Sequence, residues 1–534
     1  MKSKTLRQKN EPTEKGVFVP TPTNSSACFR GIVLSAIFTV WITVVGIGYF
    51  FVFSIGYILS TVLAVVFSLT LGHWAWRRPL YWDWTVLDTS TKALVESGVF
   101  DSGFLWGTST ASHQIEGGPH QKSNWYHWEK CTRNGGKTPC VKENQKCGDA
   151  ADHWNRLEAD TNLMTKLGVN SYRFSLSWAK IQPTEHSFDH AVLAHYHDEL
   201  KALAKVNIVP MLTLHHFDHP LWFEEKGGFE EVENIQLFLD FSLRVFEEYG
   251  SKVNLWCTFN EPAVFVTNGW VTGIFPPGKT NPQQAGIVLR NIMMAHVSVY
   301  KLLKARSLEM GVRCEIGMVK DIFQFEASTW WNPFDRFVAG LAENAFNRSV
   351  LNFLKTGHYS YWVPFVASVY YVDKSAPETS DFLGLNYYSH YYVSVWNAIF
   401  EPDENRKLFP PLDGAVMTDM PYPIYAEGFY RALKQLSEVN KRTPIYVCEN
   451  GIADSSDDKR ALWISRYIFA MSRAMKEGVN VRGYYYWSLM DNFEWSEGFN
   501  MRFGLYHVDF NTQKRTLRNG SNRFVEIVDA LKQQ

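Results

Sequence analysis

The chain has almost no net charge: its 534 residues carry 53 Lys+Arg against 54 Asp+Glu. No broad field of either sign is available to attract a polyanion, which argues against nucleic-acid binding. Cysteine is sparse. The seven residues Cys28, Cys131, Cys140, Cys147, Cys257, Cys314 and Cys448 are odd in number and lack paired zinc-ligand spacing. Cys131, Cys140 and Cys147 share the loop-like stretch CTRNGGKTPCVKENQKC; one disulfide can form there, but no fourth ligand or His pair completes a metal site. Neither a metal nor a cofactor is expected. No internal repeat is evident. The most informative lack is local, for not one charged residue occurs from Gly31 to Leu71.

A run of that length is not a soluble core element and reads as inserted in a membrane. As a helix rising about 1.5 Å per residue it would extend roughly 60 Å, about twice the hydrocarbon thickness of a bilayer. It also far exceeds the apolar stretch of a cleaved signal peptide. Two spans fit better than one, with Gly46 and Gly48 marking the turn of a helical hairpin. Lys2, Lys4, Arg7, Lys9, Lys15 and Arg30 precede the run, and Arg77 and Arg78 follow it. A hairpin puts both basic flanks, and the domain behind them, on the cytoplasmic side. A single span would place the domain on the lumenal or extracellular side, where the triplets Asn347-Arg348-Ser349 and Asn519-Gly520-Ser521 become usable sequons. The hairpin is the reading adopted. Four regions follow: a polar, basic, disordered 1–30, a membrane segment 31–71, a membrane-proximal connector 72–97 rich in Trp and Tyr, and a catalytic unit 98–534.

Aromatic residues, by contrast, are plentiful at 15%, including 20 Trp. Flat rings suit the C–H faces of sugars, though a Trp-rich core would look the same. Eight short apolar runs read as strands: Phe104–Gly107, Ser171–Ser175, Ile208–Leu214, Leu255–Phe259, Glu315–Val319, Phe382–Leu385, Ile445–Cys448 and Gly483–Trp487. Between them, helical patterns cover Asp152–Leu167, Ala191–Lys205, Asn234–Tyr249, Gln284–Ala305, Ala426–Val439 and Asp457–Glu477. The alternation predicts an α/β chain with a single elaborated (β/α)8 barrel. Polar clusters follow several strands, among them His215-His216, Asn260-Glu261, Asn386-Tyr387-Tyr388, Glu449-Asn450 and Trp487. Strand C-termini open on one face of a barrel, so these residues are expected to converge on one pocket.

Two carboxyl groups at one site suit cleavage of a glycosidic acetal, one delivering a proton and the other supporting an oxocarbenium-like centre. Glu261 follows the fourth strand in TFNEP, and Glu449 follows the seventh in VCENG. From Gly103 to the C-terminus the chain resembles glycoside hydrolase family 1, the β-glucosidase, β-galactosidase and lactase group. The likeness rests on FLWGTSTASHQIEG, VNSYRFSLSW, HHFDHP, TFNEP, DFLGLNYY, VCENG, YYYWSLMDNFEW and MRFGL, in that order. It implies a retaining β-glycosidase with Glu261 as acid/base and Glu449 as nucleophile. It also implies that Gln114, His216, Asn260, Glu494 and Trp495 hold sugar hydroxyls, that Arg173 and Tyr388 contact the nucleophile, that Asn386 supports the site, and that Trp487 forms its floor. On physical grounds Arg173 and Tyr388 should keep Glu449 ionised, while a dry site and negative Glu449 should keep Glu261 protonated.

Glu494 and Trp495 suit an unmodified sugar, so the expected substrate is a neutral β-glucoside, β-galactoside or β-fucoside whose aglycone is not readable. Two stretches depart from the family pattern, NAFNRSVLNFLKTG (Asn344–Gly357) and YSYWVPFVASVYYV (Tyr359–Val372). The second reads either as a buried variant of the sixth barrel unit or as a membrane-facing patch directing the enzyme to glycolipids. A transglycosylase using the same glycosyl-enzyme and a klotho-like non-catalytic glycan-binding protein are the alternative functions. Oligomeric state is not legible.

Overall fold

The computed structural model describes residues 35–44, 46, 61–65, 80–118, 122–400, 407–410 and 414–532. Residues 35–44, 46 and 61–65 of the uncharged run are among them and are helical. The remainder of that run, Gly48 and the basic residues 1–30 lie outside the described residues. Among the described residues no helix is long and apolar enough to cross a membrane. Contacts divide the chain into two units, Met1–Leu87 with Pro411–Met417, and Asp88–Pro410 with Thr418–Gln534.

The larger unit contains eight parallel strands: β1 Leu105–Ser109, β2 Ser171–Ser175, β3 Val209–His215, β4 Leu255–Asn260, β5 Glu315–Asp321, β6 Phe382–Asn386, β7 Ile445–Asn450 and β8 Val481–Trp487. Each pairs with its neighbours in chain order and β8 closes on β1, which makes the (β/α)8 barrel expected from the alternation. Most observed strands run one or two residues beyond the apolar runs at their C-terminal ends. The reason is that Asn260, Asp321, Asn386, Glu449 and Asn450 stay in the backbone ladder although their side chains are polar. Apolarity ends where the pocket begins, and the strand does not.

The helices follow their patterns, with two late starts, one of them at Asp457 (φ 58°), whose helix begins at Arg460. Asp152 sits in the left-handed region at φ 52°, so the helix expected from there begins only at Leu157. The helix Thr91–Glu96, within the connector 72–97, packs on the C-terminal helix Asn522–Lys532, where Arg523 donates to the Thr89 carbonyl at 2.8 Å. The stretch Tyr359–Val372 forms an antiparallel hairpin, His358–Val363 with Ala367–Val372. Its burial alternates: Tyr359, Tyr361 and Val369 face inward, while Trp362, Phe365 and Tyr370 face outward. It is therefore neither wholly buried nor wholly exposed. Asn347 is fully buried, its amide donating to the Phe323 carbonyl at 2.6 Å, so that triplet is closed to modification, while Asn519 is exposed. The six described cysteines are all free thiols.

Inside the barrel Met211, Leu255, Cys257, Val319, Phe382, Tyr446, Cys448 and Tyr485 form one packed cluster, with Leu105 against it. Tyr485 fills the space opposite Gly107 and shares a 2.8 Å hydrogen bond with Ser171. A Cβ at Gly107 would lie 2.4 Å from the Tyr485 ring and 2.9 Å from the Ser171 carbonyl, so the glycine is required by close approach. Gly107→Val should lower unfolding free energy by about 1–3 kcal/mol through overpacking, measured by urea denaturation. A stability equal to wild type would contradict this packing.

Candidate active site

Strands β3, β4 and β7 meet around one guanidinium carried by β2. Arg173, on β2, is fully buried. Its Nη1 donates to Glu449 Oε1 at 2.6 Å and to the Cys448 carbonyl at 3.3 Å, its Nη2 to Asn260 Oδ1 at 2.7 Å, and its Nε to Thr213 Oγ1 at 3.2 Å. Tyr388, just past β6, donates its phenol to Glu449 Oε2 at 2.7 Å. Both oxygens of Glu449 are thus occupied. Glu261 is held differently. It follows the last residue of β4 with φ 44°, outside the usual range for a side-chain-bearing residue, at the N-cap of helix Pro262–Trp270. Its backbone N–H donates to the Val319 carbonyl at 2.9 Å. The Asn386 amide donates to Glu261 Oε1 at 2.8 Å and to Asn260 Oδ1 at 3.1 Å.

The other expected residues gather on the same cleft, whose volume is about 630 Å3. His216 Nε2 accepts from the Asn260 amide at 3.0 Å, and Trp487 and Trp495 lie at 5.9 and 6.0 Å from its ring. Gln114 is behind the lining and donates to Asn492 Oδ1, the Phe493 carbonyl and Glu494 Oε2 at 3.1, 3.0 and 3.2 Å. Gln114 Oε1, His216 Nδ1 and Asn386 Oδ1 are buried and find no hydrogen-bond partner among the described residues. All eleven residues singled out in the sequence therefore belong to one connected constellation.

Residues 96–533 match Glycosyl hydrolase family 1. The chain is 32% identical over 450 residues to beta-glucosidase A of Thermotoga maritima, spanning 80% of this chain and 97% of that protein. It is 30% identical over 475 residues to 6-phospho-beta-galactosidase of Clostridium acetobutylicum, spanning 80% and 96%. A solved beta-glycosidase from Pyrococcus horikoshii superposes with a TM-score of 0.69 at 34% identity, covering 81% of this chain and 95% of that one. The chain belongs to glycosyl hydrolase family 1. It is an O-glycosyl hydrolase of the β-glucosidase-like kind.

Electrostatics separate the two carboxyl groups of this family 1 hydrolase. Burial drives Glu261 well above the ordinary carboxylate range, and the negative charges of Asp321 and Glu449 add to it. Burial raises Glu449 too, but Arg173 and the Tyr388 phenol oppose the rise, so a proton shared by the site sits first on Glu261. Arg173 and Tyr388 act in the expected direction on Glu449, although burial outweighs them and leaves it raised. His216 is pushed well below its usual value by burial and by Arg173 and is neutral. Its Nε2 accepts, which leaves the proton on Nδ1.

Two features had gone unread in the sequence. One is the buried pair Lys320–Asp321 at the end of β5, 3.1 Å apart, whose carboxylate acts on Glu261; in the sequence this pair merely closes an apolar run and belongs to no motif. The other is an aromatic wall of the cleft, formed by Phe323, Phe325, Phe346, Tyr391, Phe409 and Tyr422. These rings come from five separated segments, so no local pattern unites them.

Glu494 provides a test of the site's dryness. Burial first, and negative Glu449 second, push its carboxyl from 4.5 up to about 8. The folded chain therefore holds this proton more tightly than the unfolded chain. The stabilisation is fully present below pH 4.5 and is lost as pH rises through about 8. In unfolding titrations across that window, Glu494→Gln should flatten the decline of stability with pH relative to wild type. An unchanged slope would mean that Glu494 is not desolvated.

Proposed function

We propose that this enzyme cleaves neutral β-glycosides with retention, Glu449 acting as nucleophile and Glu261 as acid and then base. The observation that carries this reading is the contrast between the two carboxyl groups' partners. Glu449 is gripped through both oxygens by a cation and a phenol, which poises it as an anion. Glu261 accepts one amide hydrogen and stands in a dry site near Asp321 and Glu449, whose effects outweigh those of Asn386 and Lys320 and favour its acid form. When the sugar bonds to Glu449, that negative charge is lost and Glu261 ionises more readily. It then takes a proton from the water that releases the sugar.

The glycone end supports a hydroxyl-bearing ligand. Buried polar atoms ordinarily have partners, and the Nδ1–H of His216 and the Oε1 of Gln114 offer one donor and one acceptor to sugar hydroxyls. The buried carboxyl of Glu494, protonated up to about pH 8, supplies no cation to balance a dianionic 6-phosphate. The aromatic wall at the other end favours an apolar aglycone. Glycolipids fall in that class.

Treatment with a 2-deoxy-2-fluoro-β-glucoside or galactoside bearing an activated leaving group should leave one sugar on Glu449, located by peptide mass spectrometry. Glu261→Gln should slow turnover of an unactivated β-glycoside by about 10²–10⁴-fold. Absence of label on Glu449 with both reagents would overturn the assignment. Product analysis with alcohol acceptors separates hydrolysis from transglycosylation, since both share the glycosyl-enzyme.

The uncharged run 31–71 supports attachment to a membrane as a hairpin, with residues 98–534 on the cytoplasmic side. In sealed microsomes the catalytic unit should be cut by added protease without detergent. Protection, together with glycosylation at exposed Asn519, would favour the single span instead.

A further inference from the structure

The aromatic wall does not stop at the cleft. Leu408 and Phe409 line it and are 38% and 37% exposed, and the Leu408 carbonyl accepts from the Ser394 N–H at 3.0 Å, just before the helix Val395–Phe400. Phe409 lies 5.1 Å from Tyr391 and Tyr391 4.9 Å from Phe323, so a continuous path of rings leads from the surface inward. Beside this path stand the helices Pro333–Glu343 and Val395–Phe400. They and the turn before them display Trp331, Phe334, Phe337, Trp396 and Ile399, each between 55% and 69% exposed.

The helix Pro333–Glu343 has its polarity reversed. A helix on the surface of a globular protein turns charge outward and apolar residues inward. Here the acid Asp335 is fully buried, accepting from the backbone N–H of Val395 at 2.8 Å and of Thr329 at 3.3 Å. Phe334 and Phe337, three apart on one face, point outward together with exposed Gly340. Asp335 therefore fastens the two helices side by side with their rings outward. Single exposed rings need no explanation, but four rings and an isoleucine exposed on two touching helices and the turn before them do.

Three observations name the occupant as a lipid bilayer rather than a protein. The face is continuous with a cleft whose wall is apolar. Its Trp-and-Phe composition suits the boundary between headgroups and acyl chains. The same chain carries a run of uncharged residues from 31 to 71. The hairpin adds a further element. Its outward tip carries fully exposed Phe365 and is tied through Ser368 to Gln283 at the start of helix Pro282–Met310, just after the cleft-lining loop Thr272–Phe275.

We propose that this face docks on a bilayer, and that the apolar part of a membrane glycolipid passes along the ring-lined path while its sugar reaches Glu261 and Glu449. This inference rests on the reading of those two residues as the glycosidase pair. The test uses the full chain and its Phe334→Asp/Phe337→Asp variant with two substrates, a soluble nitrophenyl β-glucoside and glucosylceramide carried in phosphatidylcholine vesicles. The variant should keep kcat/KM for the soluble substrate within about twofold, which also reports that it is folded, and lose about tenfold or more on the vesicle substrate. Equal vesicle activity in variant and wild type would overturn the proposal. So would wild-type cleavage of the soluble glucoside with none of the glycolipid, and so would conversion of a wild-type dimer to a monomer by the variant without loss on vesicles, which would make a second copy the occupant. Failure of the wild type on soluble glycosides of every sugar tried would instead remove the catalytic reading beneath it.

Discussion

The ion pair between Arg173 and Glu449 is the interaction on which the rest of the site depends. Both groups are buried, and a buried pair gains little net stability because desolvation offsets the attraction. Its value lies in geometry. Arg173 uses three nitrogens on four acceptors from β3, β4 and β7, so the barrel mouth holds one arrangement. Asn260 accepts from that guanidinium through Oδ1 and donates to His216 through its amide. The direction of the cleft-lining His216 imidazole is thus set two hydrogen bonds away by the same cation.

The backbone makes matching concessions. Glu261 occupies the left-handed region at φ 44°, which turns its side chain away from the ladder toward the cleft. Gly451 follows the VCEN run because a Cβ there would strike the Trp487 carbonyl at 1.7 Å. One bend presents a carboxyl and the other lets two strand ends approach. In each case a residue of the motif serves the chain's path as much as the chemistry.

These motifs also explain what was legible in advance. The eight apolar runs specified the barrel because both faces of a parallel strand are buried and leave an unbroken apolar signature. The constellation from Gln114 to Trp495 was legible because its members sit in motifs at or just past the strand ends. Asp321 ends a strand too, but as one residue after Lys320 it carried no recognisable pattern, and only its placement beside Asn386 in the β5–β6 register shows its reach to Glu261. Phe323, Phe346 and Phe409 were illegible for a different reason. They lie outside the barrel strands, and their assembly into one wall is a property of the fold.

That wall links recognition to reactivity. Glu261 can be an acid near neutral pH only if water is kept from it, since desolvation is the largest influence on its proton affinity. The rings of that wall line the same cleft as Glu261. A polar aglycone subsite, with hydroxyl-binding side chains and their water, would raise the local dielectric and let Glu261 ionise earlier. An apolar wall beside Glu261 therefore favours its protonated form. On the proposed reading, in which these rings also meet the aglycone, a substitution in the wall would shift aglycone preference and the proton affinity of Glu261 together.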